Sequence, residues 1–402
     1  MLAFIRKFAI AAAMCVASLS AAPAWAQAVD LFSPVAAHES TAGAKPIAGS
    51  TREAFASLDA GALTSGRPVR IKLFPGAEGT FTPTGEEPAY GGDTVWTGAS
   101  GADEATLVVS KGGVLGVVRL NGKSFKIEPV KGRVHKIAEI SGASLPPEGP
   151  LTLPPSGDLG VPVPNPDVAQ EAGATKVKVL IAYTERAANA SSNILSELNL
   201  AVSLANSAYK AGDVNIKLVL AGTIKVTGYV ENDFAQVLYD VTDNTAPFQP
   251  VNQMRDAVKA DLVSVIQEGT QYCGIAWYIA NPNSSTSNRG FSTVARVCIT
   301  NQSFAHELGH NMGLNHDRYV VSPAPDSQYN FGYVNLAKRK RSIMAYNNKC
   351  ADSGVFCERL NYFSDPDRKV SKKPFGIPQG QSGAADNARR LNETRQGIAS
   401  YR

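Results

Sequence analysis

The chain has 402 residues, of which 44% are hydrophobic and 18% charged, and its net charge is +4. That balance is that of an ordinary globular protein able to bury a sizeable core, and the length suits two domains rather than one. A near-neutral chain without interleaved aromatic and basic residues is not organised for nucleic acid.

Residues 1–26 read as an export signal. Arg6 and Lys7 give a positive start, 8–19 is an apolar run of small residues, and Ala24-Trp25-Ala26 is an A-x-A-like cleavage site. The run is shorter than the ~20 residues a membrane span needs. Cys15 is a poor lipid attachment site, because Met14 is large where a small residue is required. The expectation is a soluble, secreted protein without a membrane anchor, or a periplasmic one, and a monomer.

Residues 27–145 contain short extended runs at 69–74, 105–109, 114–118 and 124–128, broken by glycine. They predict a small antiparallel sheet. No cluster of catalytic residue types occurs there, and His135 stands alone. Residues 146–172 change character, with prolines at 146, 147, 150, 154, 155, 162, 164 and 166. Such density suits an extended, solvated linker carrying an activation cleavage. The competing reading is an extended arm that stays attached and packs on the domain that follows. Residues 27–172 carry 12 basic and 16 acidic side chains, and residues 173–402 carry 25 and 19. The two halves therefore attract each other modestly.

Residues 173–402 read as a strand at 176–182, a helix at 193–211 and a strand at 214–220. A helix at 252–259 and a strand at 261–266 follow, with further strands at 273–279 and 292–299. The order β-α-β-α-β, then antiparallel strands, argues α/β layers. One strand is expected to border a cleft where an extended peptide adds by main-chain hydrogen bonds. Four cysteines remain after the signal, an even number that suits two disulfides in an oxidising compartment. Three pairings are possible. Cys273–Cys298 across a hairpin, with Cys350–Cys357 closing a short loop, is favoured.

The chain is organised around His306-Glu307-Leu308-Gly309-His310-Asn311-Met312-Gly313-Leu314-Asn315-His316-Asp317. His306 and His310 are four apart, so a helix projects both from one face. Glu307 sits beside the first histidine, free to act as a base. Gly313 lets the helix end in a left-handed turn and return His316 as a third ligand. Three protein ligands leave one position open, the mark of a catalytic zinc site. Three of the five histidines fall in this stretch, which argues against incidental histidines on a surface helix.

This stretch resembles the metzincin metallopeptidase signature, with Ser342-Ile343-Met344-Ala345-Tyr346 similar to its methionine turn. Asp317 directly after the third histidine is similar to the reprolysin branch. Together with Cys273-Gly274-Ile275-Ala276-Trp277 and Ala385-Asp386-Asn387-Ala388-Arg389, the chain most resembles bacterial secreted peptidyl-Asp metalloendopeptidases, over roughly 175–402. The resemblance implies an α/β (α+β) metzincin-like zincin catalytic domain at 173–402, with a mixed sheet and an active-site helix. It implies one catalytic Zn2+ on His306, His310 and His316, Glu307 as general base, and protein or peptide substrates cut on the amino side of Asp. Asp317 and Met344 support the metal site.

Thr94-Val95-Trp96-Thr97-Gly98 resembles a segment of the propeptides of these peptidases. A mainly β propeptide at 27–145 is therefore expected to chaperone folding and block the cleft as an intramolecular inhibitor. No cysteine lies between 27 and 272, so latency through a propeptide thiolate is excluded, and an oxygen ligand or steric occlusion is required. Tyr346 resembles the tyrosine of other metzincin branches that approaches the metal or the oxyanion. Within the basic run 338–341, Arg341 is the favoured partner for an acidic substrate residue, with Arg296 and Arg359 as alternatives. Calcium binding stays open. The contrasting function is an exported zinc-binding effector or adhesion module without proteolysis.

Overall fold

A computed structural model describes residues 27–36, 41–154, 161–164 and 173–402. The expected export signal and parts of the proline-rich stretch lie outside the described residues. No helix among the described residues is long and apolar enough to cross a membrane.

The N-terminal region is one ten-stranded sheet. Its central strands are antiparallel neighbours in sequence, from Ala77–Pro88 through Val134–Ile140. The strand Val69–Phe74 shows why they form: Val69, Ile71 and Leu73 are buried and the residues between them are not. The sheet is larger than the one expected. Its two ends are Val29–Asp30, parallel to Val69–Phe74, and Phe32–Ser33, antiparallel to Ser50–Leu58. These ends are consecutive in the chain, joined at the fully buried Leu31. The sheet therefore curls until its two ends come together at this link. Phe81, Leu107, Val118, Phe125 and Ile127 fill its interior.

The C-terminal region is built on a five-stranded sheet in the order 216–226, 175–184, 262–267, 291–295, 274–276. The first four strands are parallel, and the edge strand Gly274–Ala276 is antiparallel to its neighbour. The helix Ile194–Ala211 joins the two regions. Asn193 caps it by accepting a bond of 3.2 Å from the Ser196 amide. Leu198, Ala201, Ala205 and Ala208 face the C-terminal core. Leu200 and Leu204 pack on Val95, Val108, Leu115 and Val117 of the N-terminal sheet. Helical spacing thus presents one apolar stripe to each core.

The run expected to be a strand at 292–299 stops at Ala295, where its partner strand ends, and continues as a 3-10 helix Arg296–Asn301. Helices Phe234–Thr242 and Asn387–Ala399 were not expected. The first is only nine residues long, and the second is rich in arginine. Disulfides join Cys273 to Cys298 and Cys350 to Cys357.

The described part of the proline-rich stretch is partly exposed and is held to the C-terminal region by backbone hydrogen bonds. The Cys273 amide donates to the Pro147 carbonyl (2.7 Å), Gly149 to Gly274 (3.0 Å) and Tyr278 to Thr152 (2.9 Å). Thr152 bridges Trp277 in parallel sense. Farther on, Asn281 brackets 161–163, and Arg390 donates to the Val163 carbonyl. Proline tolerates this position because an arm on a sheet edge has one face without ladder bonds to donate.

Candidate active site

The helix Ser303–Asn311 carries the first two histidines and is wholly buried. Gln302 holds the cap position of this helix at φ 66° without a side-chain bond. Asn311 fixes the helix against the sheet, its amide donating to the carbonyls of Trp277 (2.9 Å) and Phe291 (3.1 Å). Gly313, at φ +88°, turns the chain back. A Cβ there would also lie 2.8 Å from the Ala280 carbonyl oxygen. The strand Asn315–Asp317 then pairs with Phe331–Gly332 and delivers His316.

The three imidazoles converge, with ring centroids 4.6–5.2 Å apart. His306 Nδ1 lies 2.9 Å from the Ile343 carbonyl, and His310 Nδ1 lies 2.9 Å from the Leu314 carbonyl. Carbonyls only accept, so each Nδ1 carries the proton and each Nε2 presents a lone pair. Those two Nε2 atoms are 3.1 Å apart. His316 Nε2 is buried without a hydrogen-bond partner. Three buried imidazole nitrogens facing one another, two of them with their lone pairs free, fit a divalent cation with an affinity for imidazole, such as zinc. Burial, and for His306 and His316 the neighbouring charges, hold their pKa values low, with His310 at about 4. They are neutral at physiological pH, the state in which imidazole can bind a metal.

Glu307 is 1% exposed. Burial, then the neighbouring charge of Glu148, pushes its carboxyl well above the usual range. It packs on the edge strand at Gly274, where an added Cβ would lie 2.5 Å from its Cγ and Oε1. Met344 is fully buried, and a Cβ on Gly309 would lie 2.7 Å from its sulfur. The helix turn between the two ligands therefore rests on the thioether. Asp317 accepts bonds from the amides of Tyr346 (2.8 Å) and Tyr319 (3.0 Å), tying the His316 strand to the methionine turn. The Tyr346 ring lies 4.2 Å from that of His316, and its hydroxyl donates to the Gly149 carbonyl.

The arginines separate. Arg341, expected to meet an acidic substrate residue, is turned inward here and donates to the carbonyls of Cys357 (3.0 Å) and Ala345 (2.6 Å), which ties two loops together. Arg296 binds Glu268 and Glu197. Arg359 alone of the three meets the arm, at Glu148. Glu148 escaped the sequence reading, although an acid enclosed by Pro146-Pro147 and Gly149-Pro150 is a rigidly presented one. It clusters with His306 and Glu307, one polar atom of each lying within 4.8 Å of the others.

Comparisons with known proteins agree with this geometry. Residues 195–317 match the family described as metallo-peptidase family M12B, reprolysin-like. The chain is 31% identical over 372 residues to a peptidyl-Asp metalloendopeptidase of Xanthomonas campestris, covering 86% of this chain and 84% of that protein. It is 32% identical over 313 residues to a protein of the same name from Stenotrophomonas maltophilia, covering 74% and 70%. A second strain of that species has a relative at 31% over 323 residues, covering 76% and 73%. A donor set fitted to zinc, a buried carboxyl beside it and relatives matched over most of both chains converge: this chain belongs to the peptidyl-Asp metalloendopeptidase family of reprolysin-like zinc metallopeptidases.

Proposed function

We propose that this metalloendopeptidase is exported as a proenzyme and cuts proteins on the amino side of aspartate, with His306, His310 and His316 holding one zinc ion and Glu307 as general base. The observation that carries the residue assignment is the convergence of three buried imidazole nitrogens beside a buried carboxylate. Zinc bound there supplies Lewis acidity, which makes a water nucleophilic near neutral pH and polarises a substrate carbonyl. Glu307 takes the proton of the attacking water and returns it to the departing amine.

Tyr346 donates to a peptide carbonyl in the arm, which supports a role in holding the substrate carbonyl as charge develops on it. The edge strand Gly274–Ala276, with arm bonds on either side of it, supports binding of an extended substrate by main-chain hydrogen bonds. The aspartate preference is supported by the names of the relatives, and export by the composition of residues 1–26. The mainly β region and its arm suit a propeptide.

Glu307→Gln is expected to lower caseinolysis by the processed protein about 100- to 10,000-fold, with zinc content by atomic absorption unchanged at one per chain. Chelation is expected to abolish caseinolysis in the parent. Activity retained after either treatment would overturn the zinc peptidase assignment.

A further inference from the structure

The arm places a carboxylate inside the cleft. Glu148 has a partly exposed backbone, yet its side chain is only 5% exposed. Its Oε1 accepts from Ser303 Oγ at 2.8 Å and from an Arg359 guanidinium nitrogen. Ser303 is the first residue of the active-site helix, and its hydroxyl points to this carboxylate instead of capping the helix. Arg359 has a side chain 1% exposed and is held by the carbonyl of Asn301 at 3.1 Å, with that of Ala345 at 3.5 Å. A guanidinium buried beside a metal site has a high desolvation cost unless a carboxylate meets it. Within the described chain that carboxylate comes from outside the 173–402 region, 211 residues away in sequence.

We propose that Arg359 and Ser303 form the subsite that recognises an acidic substrate side chain, and that Glu148 fills it in cis as a tethered competitor. The proposal rests on the peptidase reading above and adds the residues that set its specificity. The carboxylate seated there has an oxygen within 4.8 Å of polar side-chain atoms of both His306 and Glu307. The guanidinium fork suits a carboxylate better than a single ammonium does. Pro147 and Pro150 stiffen the arm on either side, so little conformational freedom is lost when it binds.

The test compares two full-length chains, Glu148→Gln and Glu148→Gln/Arg359→Gln. The double variant removes both charges together, so neither is left buried alone, and circular dichroism with an unfolding midpoint confirms its fold. A fluorescent peptide with the sequence of residues 145–151 is titrated by anisotropy into each metal-free chain, beside the same peptide with Gln at its acidic position. The single variant is expected to bind the acidic peptide about 10- to 100-fold tighter than its amide counterpart, and the double variant to bind both alike. Ser303→Ala in the Glu148→Gln background is expected to reduce the preference about three- to tenfold. With zinc restored, kcat/KM for matched Asp and Asn substrates is expected to show the same loss of discrimination. A tenfold preference surviving in the double variant overturns the subsite, as does equal binding of both peptides by the single variant. If the peptide preference follows Arg359 but no chain hydrolyses either substrate, the subsite stands and the peptidase assignment falls. If both chains cut the Asp substrate with equal discrimination, the peptidase assignment stands and the subsite falls.

Discussion

The two regions of this chain bury different things. The N-terminal sheet closes on an apolar interior, Leu31, Ile71, Phe81, Leu107 and Phe125 among others. Several of its buried polar groups lie at the seam: Asp93 meets Ser196 and Asn199, Arg119 meets the Thr300 carbonyl, and Lys126 meets Glu197. The C-terminal region has apolar cores too, but it also buries three histidines, Glu307, Arg341 and Arg359 together around one cleft. A hydrophobic interior tolerates local change by degrees. A polar interior fails when one partner is lost, because the other stays desolvated. The difference teaches that the seam, although built partly from the apolar region, behaves like the active site.

That contrast is broken most sharply at the seam. Lys126 and Arg296 both contact Glu197, which is 2% exposed. Glu197→Ala is expected to destabilise the full chain by about 3–5 kcal/mol in urea unfolding; a loss below about 1 kcal/mol would show that the seam is not an obligate charge cluster. Next comes the cleft. Gly274→Ala pushes a methyl into Glu307, and a displacement near 1 Å is expected to lower turnover about 100-fold without loss of zinc. Unaltered turnover would show that the base relaxes freely.

Acid sharpens the same comparison more gradually. Burial alone would raise the Glu197 pKa, but Lys126 and Arg296 outweigh it and hold the value below 4.5. Burial likewise opposes the charge on Lys126, but Glu197 and Glu128 raise its pKa above 10.5. A depressed carboxylate stabilises fully above its unfolded value and loses that contribution as pH falls through the folded one. A raised lysine behaves in the opposite sense. The seam is therefore expected to hold its full strength between about pH 4.5 and 10.5. Unfolding midpoints of parent and Glu197→Gln should converge only as pH drops below 4.5. The smallest effect is expected at Lys217–Glu87, a seam pair 43% and 65% exposed. Lys217→Ala should cost no more than about 1 kcal/mol, and less in high salt.

Much of this was legible from residue order. The spacing of His306, His310 and His316 defined a ligand set, and Gly313 explained how the third could return. The alternation at 69–74 is visible in the sequence because period two survives without knowledge of the partner strand. The closure of the N-terminal sheet was not, since Val29–Asp30 and Phe32–Ser33 are too short to show any period. Glu148 was invisible for a different reason. Its meaning lies in Ser303 and Arg359, 155 and 211 residues distant, and no local pattern announces such a contact. Arg341 attracted attention through the charge density of 338–341. Density does not say which guanidinium faces the cleft, and pairing of 340–341 with 358–359 turns Arg341 onto backbone carbonyls.

The arm is fastened twice, near Pro147–Thr152 on the edge strand and near Val163 by Asn281 and Arg390. A cut between those fastenings leaves Glu148 covalently joined to the N-terminal sheet and seated where it was. What changes is concentration. While tethered, a short segment meets its own cleft at an effective concentration on the order of millimolar. Once severed, it competes only at the concentration of the released fragment. Activation would then be completed by dilution, or by destruction of the fragment, and a crowded solution of freshly cut enzyme would remain quiet until it spreads.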